Sequence, residues 1–315
     1  MNLLQTARRA VESMRIHPVA QHAHATEVAE RTVHWARSLS LVTNDIEVSR
    51  ARNIRVGNLA AYAFAREPLD VVQLGADLIL WLFLFDDAIG EPPLDLDRAE
   101  HARTLQSYVD LLVCRRLPDE ASHFHVALLD LVHRAVDLGA SEDWLERFAE
   151  DMAGYFWACA EEVPYRRSGT TPPVAAYRDL RAGTVGTSAV FALIELGRSG
   201  IVPSDEMRRP EVVEARRIAA LLTAWVNDVY SYPKETLAND PLNLVTALAA
   251  QYALEPTEAL NEAVEVYNLE LGELERLIDR ILFDGCSHAL CAYLNGLLDW
   301  VHGNRVWTKM CGRYT

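Results

Sequence analysis

The chain has 315 residues, 50% apolar and 24% charged, with a formal charge of −15 at pH 7. That composition fits a globular protein with a large core. It excludes a nucleic-acid surface, which would gather Lys and Arg on one face. The longest apolar stretch, Leu78 to Phe85, is too short to span a bilayer. An anionic ligand would need local Arg, Lys or metal ions to overcome the overall field. The start, MNLLQTARRAVESMRIHP, lacks the apolar run of a signal peptide. Five cysteines (114, 159, 286, 291 and 311) without CxxC spacing suit free thiols in a reducing cytoplasm.

Helical periodicity predicts elements over about 26–38, 46–65, 70–89, 97–116, 120–137, 142–163, 173–182, 186–197, 205–232, 241–252, 257–283 and 286–306. No strand-type alternation is sustained. Breaks fall at GEPPLD, RRSGTTPP, GRSGIVPS and ANDP. Ser204 is the expected N-cap after the third break, and Pro210 the first turn of the longer helix beyond it. The i,i+2 pairs His22/His24 and His123/His125 would face two directions each and are expected at the surface. No repeat or linker interrupts the chain, so residues 1–315 are expected to form one all-α domain.

Packing and chemistry conflict first in LILWLFLFDDAIGE. An apolar helix there ends in Asp86, Asp87 and Glu91, where carboxylates oppose the helix dipole. Two such charges about 4 Å apart repel by roughly 4 kcal/mol at an effective dielectric near 20. A hard cation such as Mg²⁺ would compensate them; the alternative is a solvated acidic loop.

The second cluster lies in WVNDVYSYPKE. Asn227, Ser231 and Glu235 are spaced i, i+4, i+8, within about 80° of helix circumference. Glu235 leans back toward the shorter two, which makes three oxygens on one stripe a half-shell for a hard cation. Lys234 could turn toward an anion held there, and Pro233 implies a kink or the approach of the helix end.

Together these segments resemble the class I terpene synthases, especially the bacterial sesquiterpene cyclase type. Asp86, Asp87 and Glu91 look like that family's aspartate-rich motif in its DDxxxE variant. Asn227, Asp228, Ser231, Lys234 and Glu235 match its NDxxSxxKE metal triad. Arg181, in YRDLRAGTVG, stands where the family carries its diphosphate-sensing arginine, with Thr184 and Val185 at the linker and effector positions before a helix break. Asn304, Trp307, Arg313 and Tyr314 are similar to the family's NxxW…RY ending. The resemblance covers about residue 30 to the end.

It implies a bundle of about ten to twelve helices around an apolar cavity. It implies three Mg²⁺ ions held by Asp86, Asn227, Ser231 and Glu235, with Glu91 as a further ligand. The substrate would be an isoprenoid diphosphate, C15 farnesyl diphosphate favoured over C20 and C10. Arg181, Lys234, Arg313 and Tyr314 would receive the leaving diphosphate, and Asp87 would pair with Arg181 on closure. A carbocation must be kept from water, and aromatic faces stabilise it. The candidates are Trp81, Phe83, Phe85, Tyr155, Phe156, Trp225, Trp300 and Trp307, the remainder filling core. A homodimer is compatible with this reading. A chain-elongating prenyltransferase would carry two aspartate-rich motifs, and a proton-initiated cyclase needs a DxDD acid, whereas Asp95-Leu96-Asp97 is followed by Arg98. A non-catalytic helical partner would have lost its ligand sets.

Overall fold

The computed structural model describes residues 3–93 and 96–314, Tyr314 by its backbone alone. In chain order the helices are α1 (Leu3–Ser13), α2 (Ala25–Ser38), α3 (Asp45–Ile54), α4 (Val56–Ala63), α5 (Leu69–Phe85), α6 (Arg98–Cys114), α7 (His123–Asp137), α8 (Glu142–Ser168), α9 (Val174–Thr184), α10 (Thr187–Ala192), α11 (Ser204–Met207), α12 (Pro210–Ala238), α13 (Leu244–Tyr252), α14 (Pro256–Asp284) and α15 (His288–Thr308). A π turn, Asp86–Gly90, extends α5, and short 3₁₀ turns follow α10 and α15. Among the described residues there is no strand, and no helix is long and apolar enough to cross a membrane. All five cysteines are free.

Local chemistry sets most boundaries. The side chains of Asn44, Ser122, Ser141, Asn243 and Ser287 accept backbone N–H groups at the starts of α3, α7, α8, α13 and α15. Left-handed residues stop helices at Arg55 (φ 58°), which divides the predicted 46–65 segment, and at Gly169 (φ 63°). Pro210 opens α12 as expected, whereas Pro203 takes the N-cap position of α11 and Ser204 is its first helical residue. Pro164 and Pro233 both lie inside helices that run on past them. The cost of a helical proline, about 3 kcal/mol, is outweighed where the helix is packed on both sides of it.

The surface expectation for the histidine pairs fails at His125. It is buried, its ring stacked on Tyr108 at 3.8 Å, and it completes a capping box with Ser122.

Two helices organise the core. α5 is buried nearly all round, from Val71 to Trp81, and packs against α2, α4 and α7. α12 packs against α1, α9, α14 and α15. The gap between α5 and α12 is walled by α8, by the α9–α10 junction and by α15, and it opens where α5 becomes the π turn.

Candidate active site

A single cavity of about 310 Å³ collects both oxygen clusters. Its lining includes Asp86, Asp87 and Glu91 from one side and Asn227, Ser231 and Glu235 from the other, with Arg181, Lys234 and Arg313 between. The i,i+4 stripe on α12 does what its spacing required, and it begins one turn earlier than the motif, at Thr223. The wide π turn carries Asp86 and Asp87 beyond the regular helix, a distortion common at functional sites.

Charge at the mouth is unevenly compensated. Burial and the neighbouring Glu91 push Asp86 up to about 7. Burial and the nearby Asp228 do the same to Glu235, also to about 7. Glu235 accepts from Asn243 Nδ2 at 2.7 Å, and Asp86 accepts from the Tyr155 hydroxyl at 3.5 Å. Carboxyls held that far above their usual range mark a site short of positive charge, which is what a bound cation would supply. No three carboxylate, imidazole or thiol groups among the described residues are arranged to hold a metal ion by themselves. A metal here would rely on the amide of Asn227, the hydroxyl of Ser231, waters and ligand oxygens, the donor set of Mg²⁺.

The arginines are placed by buried acids. Arg181 donates to Asn227 Oδ1 at 2.8 Å and to Asp228 at 3.1 Å. Burial alone would lower its pKa, but Asp228 outweighs this and keeps it a permanent cation. Asp228 itself, 1% exposed, turns away from the cavity and accepts from the Tyr177 hydroxyl at 2.6 Å and Leu244 N at 2.9 Å. The Asn and Asp of that motif therefore have different roles: one lines the cavity and the other anchors the arginine.

In this structure Asp87 lies on Arg313, not on the Arg181 expected for the closed state. Asp87 accepts two hydrogen bonds from Arg313, and Arg181 is held by Asp228 and Asn227 instead. The reason is reach: the turn after α15 brings Arg313 over the Phe83 ring, 5.0 Å from its centroid, directly beside the acidic turn. Lys234 Nζ donates to the Arg313 carbonyl at 3.4 Å. The Tyr314 side chain lies outside the described residues.

Of the expected pocket aromatics, Phe83, Tyr155, Trp300 and Trp307 line the cavity, and so does Val185. Trp81, Phe156 and Trp225 do not, and Phe85 joins them in the core. Trp81 stacks on Phe85 at 4.7 Å and donates to the Phe124 carbonyl. Phe156 packs behind Phe85, and Trp225 donates to Glu270 beside Tyr177. An apolar helix such as α5 shows no polar face, so periodicity could not say which side meets the cavity.

Sequence reasoning missed Arg166, Glu162 and Asp240, which line the mouth beside the expected Glu91; Arg166 pairs with all three carboxylates. It also missed Thr187 and Thr223 deeper in. Only the i,i+4 spacing of Thr223 from Asn227 offered a signal.

Residues 77–271 match the family model described as terpene synthase family 2, C-terminal metal binding. The chain belongs to the class I terpene synthases of the bacterial type. It is 31% identical to a (+)-T-muurolol synthase, a (2E,6E)-farnesyl diphosphate cyclizing enzyme of Roseiflexus castenholzii, over 92% of this chain and 89% of that one. A 4-epi-cubebol synthase of Streptosporangium roseum is 28% identical, over 95% and 90% of the two chains. Among solved structures, the SVS_A2 protein from ancestral sequence reconstruction superposes with a TM-score of 0.85 at 23% identity, covering 94% of this chain and 88% of that one. Linalool/nerolidol synthase from Streptomyces clavuligerus gives 0.83 at 20%, over 94% and 99%. These structures share the all-helical fold. This terpene synthase is thus an enzyme of the terpene cyclase class, a carbon–oxygen lyase with a metal-binding domain.

Proposed function

We propose that this terpene synthase is a Mg²⁺-dependent sesquiterpene cyclase that ionises farnesyl diphosphate and closes the C15 cation into a cyclic product. The observation that carries the reading is that Asp86 and the stripe Asn227, Ser231, Glu235 line one cavity with four cationic side chains, Arg166, Arg181, Lys234 and Arg313. The farnesyl diphosphate named for the T-muurolol synthase relative supports C15 over C10 and C20.

Asp86, Asn227, Ser231 and Glu235, with Glu91 at the rim, would hold three Mg²⁺ ions. Metal ions held by these residues would supply Lewis-acid charge neutralisation to the departing diphosphate. Arg181 and Arg313 bind phosphoryl oxygens through paired N–H donors, while Lys234 adds a point charge. These donors act where charge develops and need no reorganisation at that moment. Phe83, Trp300 and Trp307 present rings to the cation, each stabilising it by about 1–2 kcal/mol in a desolvated site. Leu59, Ile79, Leu82 and Val190 exclude bulk water behind them. The two ligand sets and the apolar wall come from helices between Leu59 and Arg313, and α1 and α2 pack on α12 and α5, which supports residues 1–315 acting as one unit.

Purified protein incubated with C10, C15 and C20 diphosphates, with and without Mg²⁺, tests this by diphosphate release and by gas chromatography of extracts. A cyclic C15 product that disappears with EDTA and returns with Mg²⁺ is expected. Release that is indifferent to EDTA, or none from any of the three, would overturn it.

A further inference from the structure

Thr187 stands just past the left-handed Gly186 that breaks the helix between α9 and α10. It is 5% exposed and lines the cavity, yet its hydroxyl has no hydrogen-bond partner among the described residues. Other helical hydroxyls nearby are satisfied on the carbonyl four residues back, as at Thr223, Ser231 and Thr308. An unpaired buried hydroxyl costs roughly 1–3 kcal/mol, so one that faces a cavity is a site for a water molecule.

The surroundings can hold one. Thr223 lies one turn of α12 before Asn227, about 6 Å farther along the helix from the charged mouth. Its hydroxyl donates to the Ala219 carbonyl at 3.0 Å and accepts from Trp300 Nε1 at 2.9 Å, which leaves that oxygen one further lone pair. The amide of Asn304 reaches the Thr223 carbonyl at 3.5 Å and lines the same chamber. The cavity therefore holds, besides the unpaired Thr187 hydroxyl, a free lone pair on Thr223 and the Asn304 amide among its apolar lining.

We infer that Thr187 positions a water molecule in the apolar chamber, and that this water captures the final carbocation, making the product an alcohol. The inference rests on the proposed cyclase reading and extends it to the fate of the cation. In the step, the water oxygen forms a C–O bond to the cationic carbon. The resulting oxonium loses one proton to the diphosphate released at ionisation, so the net change is substrate plus water to alcohol plus protonated diphosphate. Without a held water, the same cation loses a proton from carbon and leaves as a hydrocarbon.

The test runs the enzyme on farnesyl diphosphate with Mg²⁺ in H₂¹⁸O and compares wild type with Thr187→Val and Thr187→Ser. The readout is the alcohol-to-hydrocarbon ratio per diphosphate released. The wild type should yield an ¹⁸O-labelled alcohol, and Thr187→Ser should retain it. Thr187→Val should cut the ratio by about tenfold, one hydrogen bond's worth of partition free energy. If Thr187→Val does not fold, Thr187→Ala is read by the same ratio. An unlabelled hydrocarbon as the only wild-type product, or an alcohol ratio unchanged in both variants lacking the hydroxyl, overturns the inference while the cyclase reading stands. Absence of diphosphate release from C10, C15 and C20 substrates would take down both.

Discussion

Arg313 grips Asp87 through two hydrogen bonds of 2.7 Å, tying the turn after α15 to the acidic turn after α5. Asp87 is 55% exposed, so the pair adds little to stability. Its value lies in placing a guanidinium beside Asp86, with Phe83 beneath it. Arg313→Ala is expected to lower kcat/KM for diphosphate release by about 10²–10³. Its Tm should shift by at most a few degrees. Arg313→Lys should recover only part of the rate, because an ammonium cannot make the paired contact. A near-normal kcat/KM in the alanine variant would remove Arg313 from the diphosphate site.

Adjacent residues on α12 should separate activity from stability. Asn227→Ala is expected to reduce turnover by about 10² or more, with a cooperative melt close to wild type. Asp228→Ala removes the buried counter-charge of Arg181 and leaves the Tyr177 hydroxyl without its acceptor, and should destabilise the fold by about 3–5 kcal/mol. Thermal melts paired with single-turnover rates decide the matter, and equal losses of stability in both variants would contradict the geometry.

A similar contrast holds on α5. Phe83→Ala opens the cavity wall and should change the product distribution with a modest loss of stability. Trp81→Ala empties a fully buried site packed against Phe85, Tyr108, Phe124 and Phe156, at a cost of about 3–5 kcal/mol. Denaturant titration and product analysis on the same preparations would show the roles reversed if Trp81 were the pocket residue.

His302 predicts an acid limit to stability. Burial, then the adjacent His17, Arg305 and Arg15, push its pKa down to about 4 from the usual 6.5, against the opposing pull of Glu275. Its ring meets that of His17 at 4.9 Å, and neither of its nitrogens has a partner among the described residues. Below 6.5 the unfolded chain binds a proton that the folded chain refuses. Stability is therefore lost as pH falls from 6.5 toward 4, by up to about 3 kcal/mol. Urea midpoints across that interval should fall steeply in the wild type and less in His302→Phe. Parallel slopes would exclude His302 as the cause.

The cavity-lining stripe Asn227, Ser231 and Glu235 was legible in the sequence because helix geometry alone turns i, i+4, i+8 into one face. The acids at the end of α5 were legible because charge after an apolar run demands an explanation. Arg166 was not: at the end of α8, nothing in YRRSG separates it from a surface arginine, and only folding brings Glu91, Glu162 and Asp240 around it.

The sequence by itself determined most of the helices and the two oxygen clusters, since these follow from local spacing and residue chemistry, while Arg181 and Arg313 were pointed to by the family resemblance. Tertiary structure decided which partner Asp87 takes, which aromatics meet the cavity and which hydroxyl is left without a bond. Those depend on the relative rotation of packed helices, and an all-apolar helix such as α5 carries no amphipathic signal to announce it.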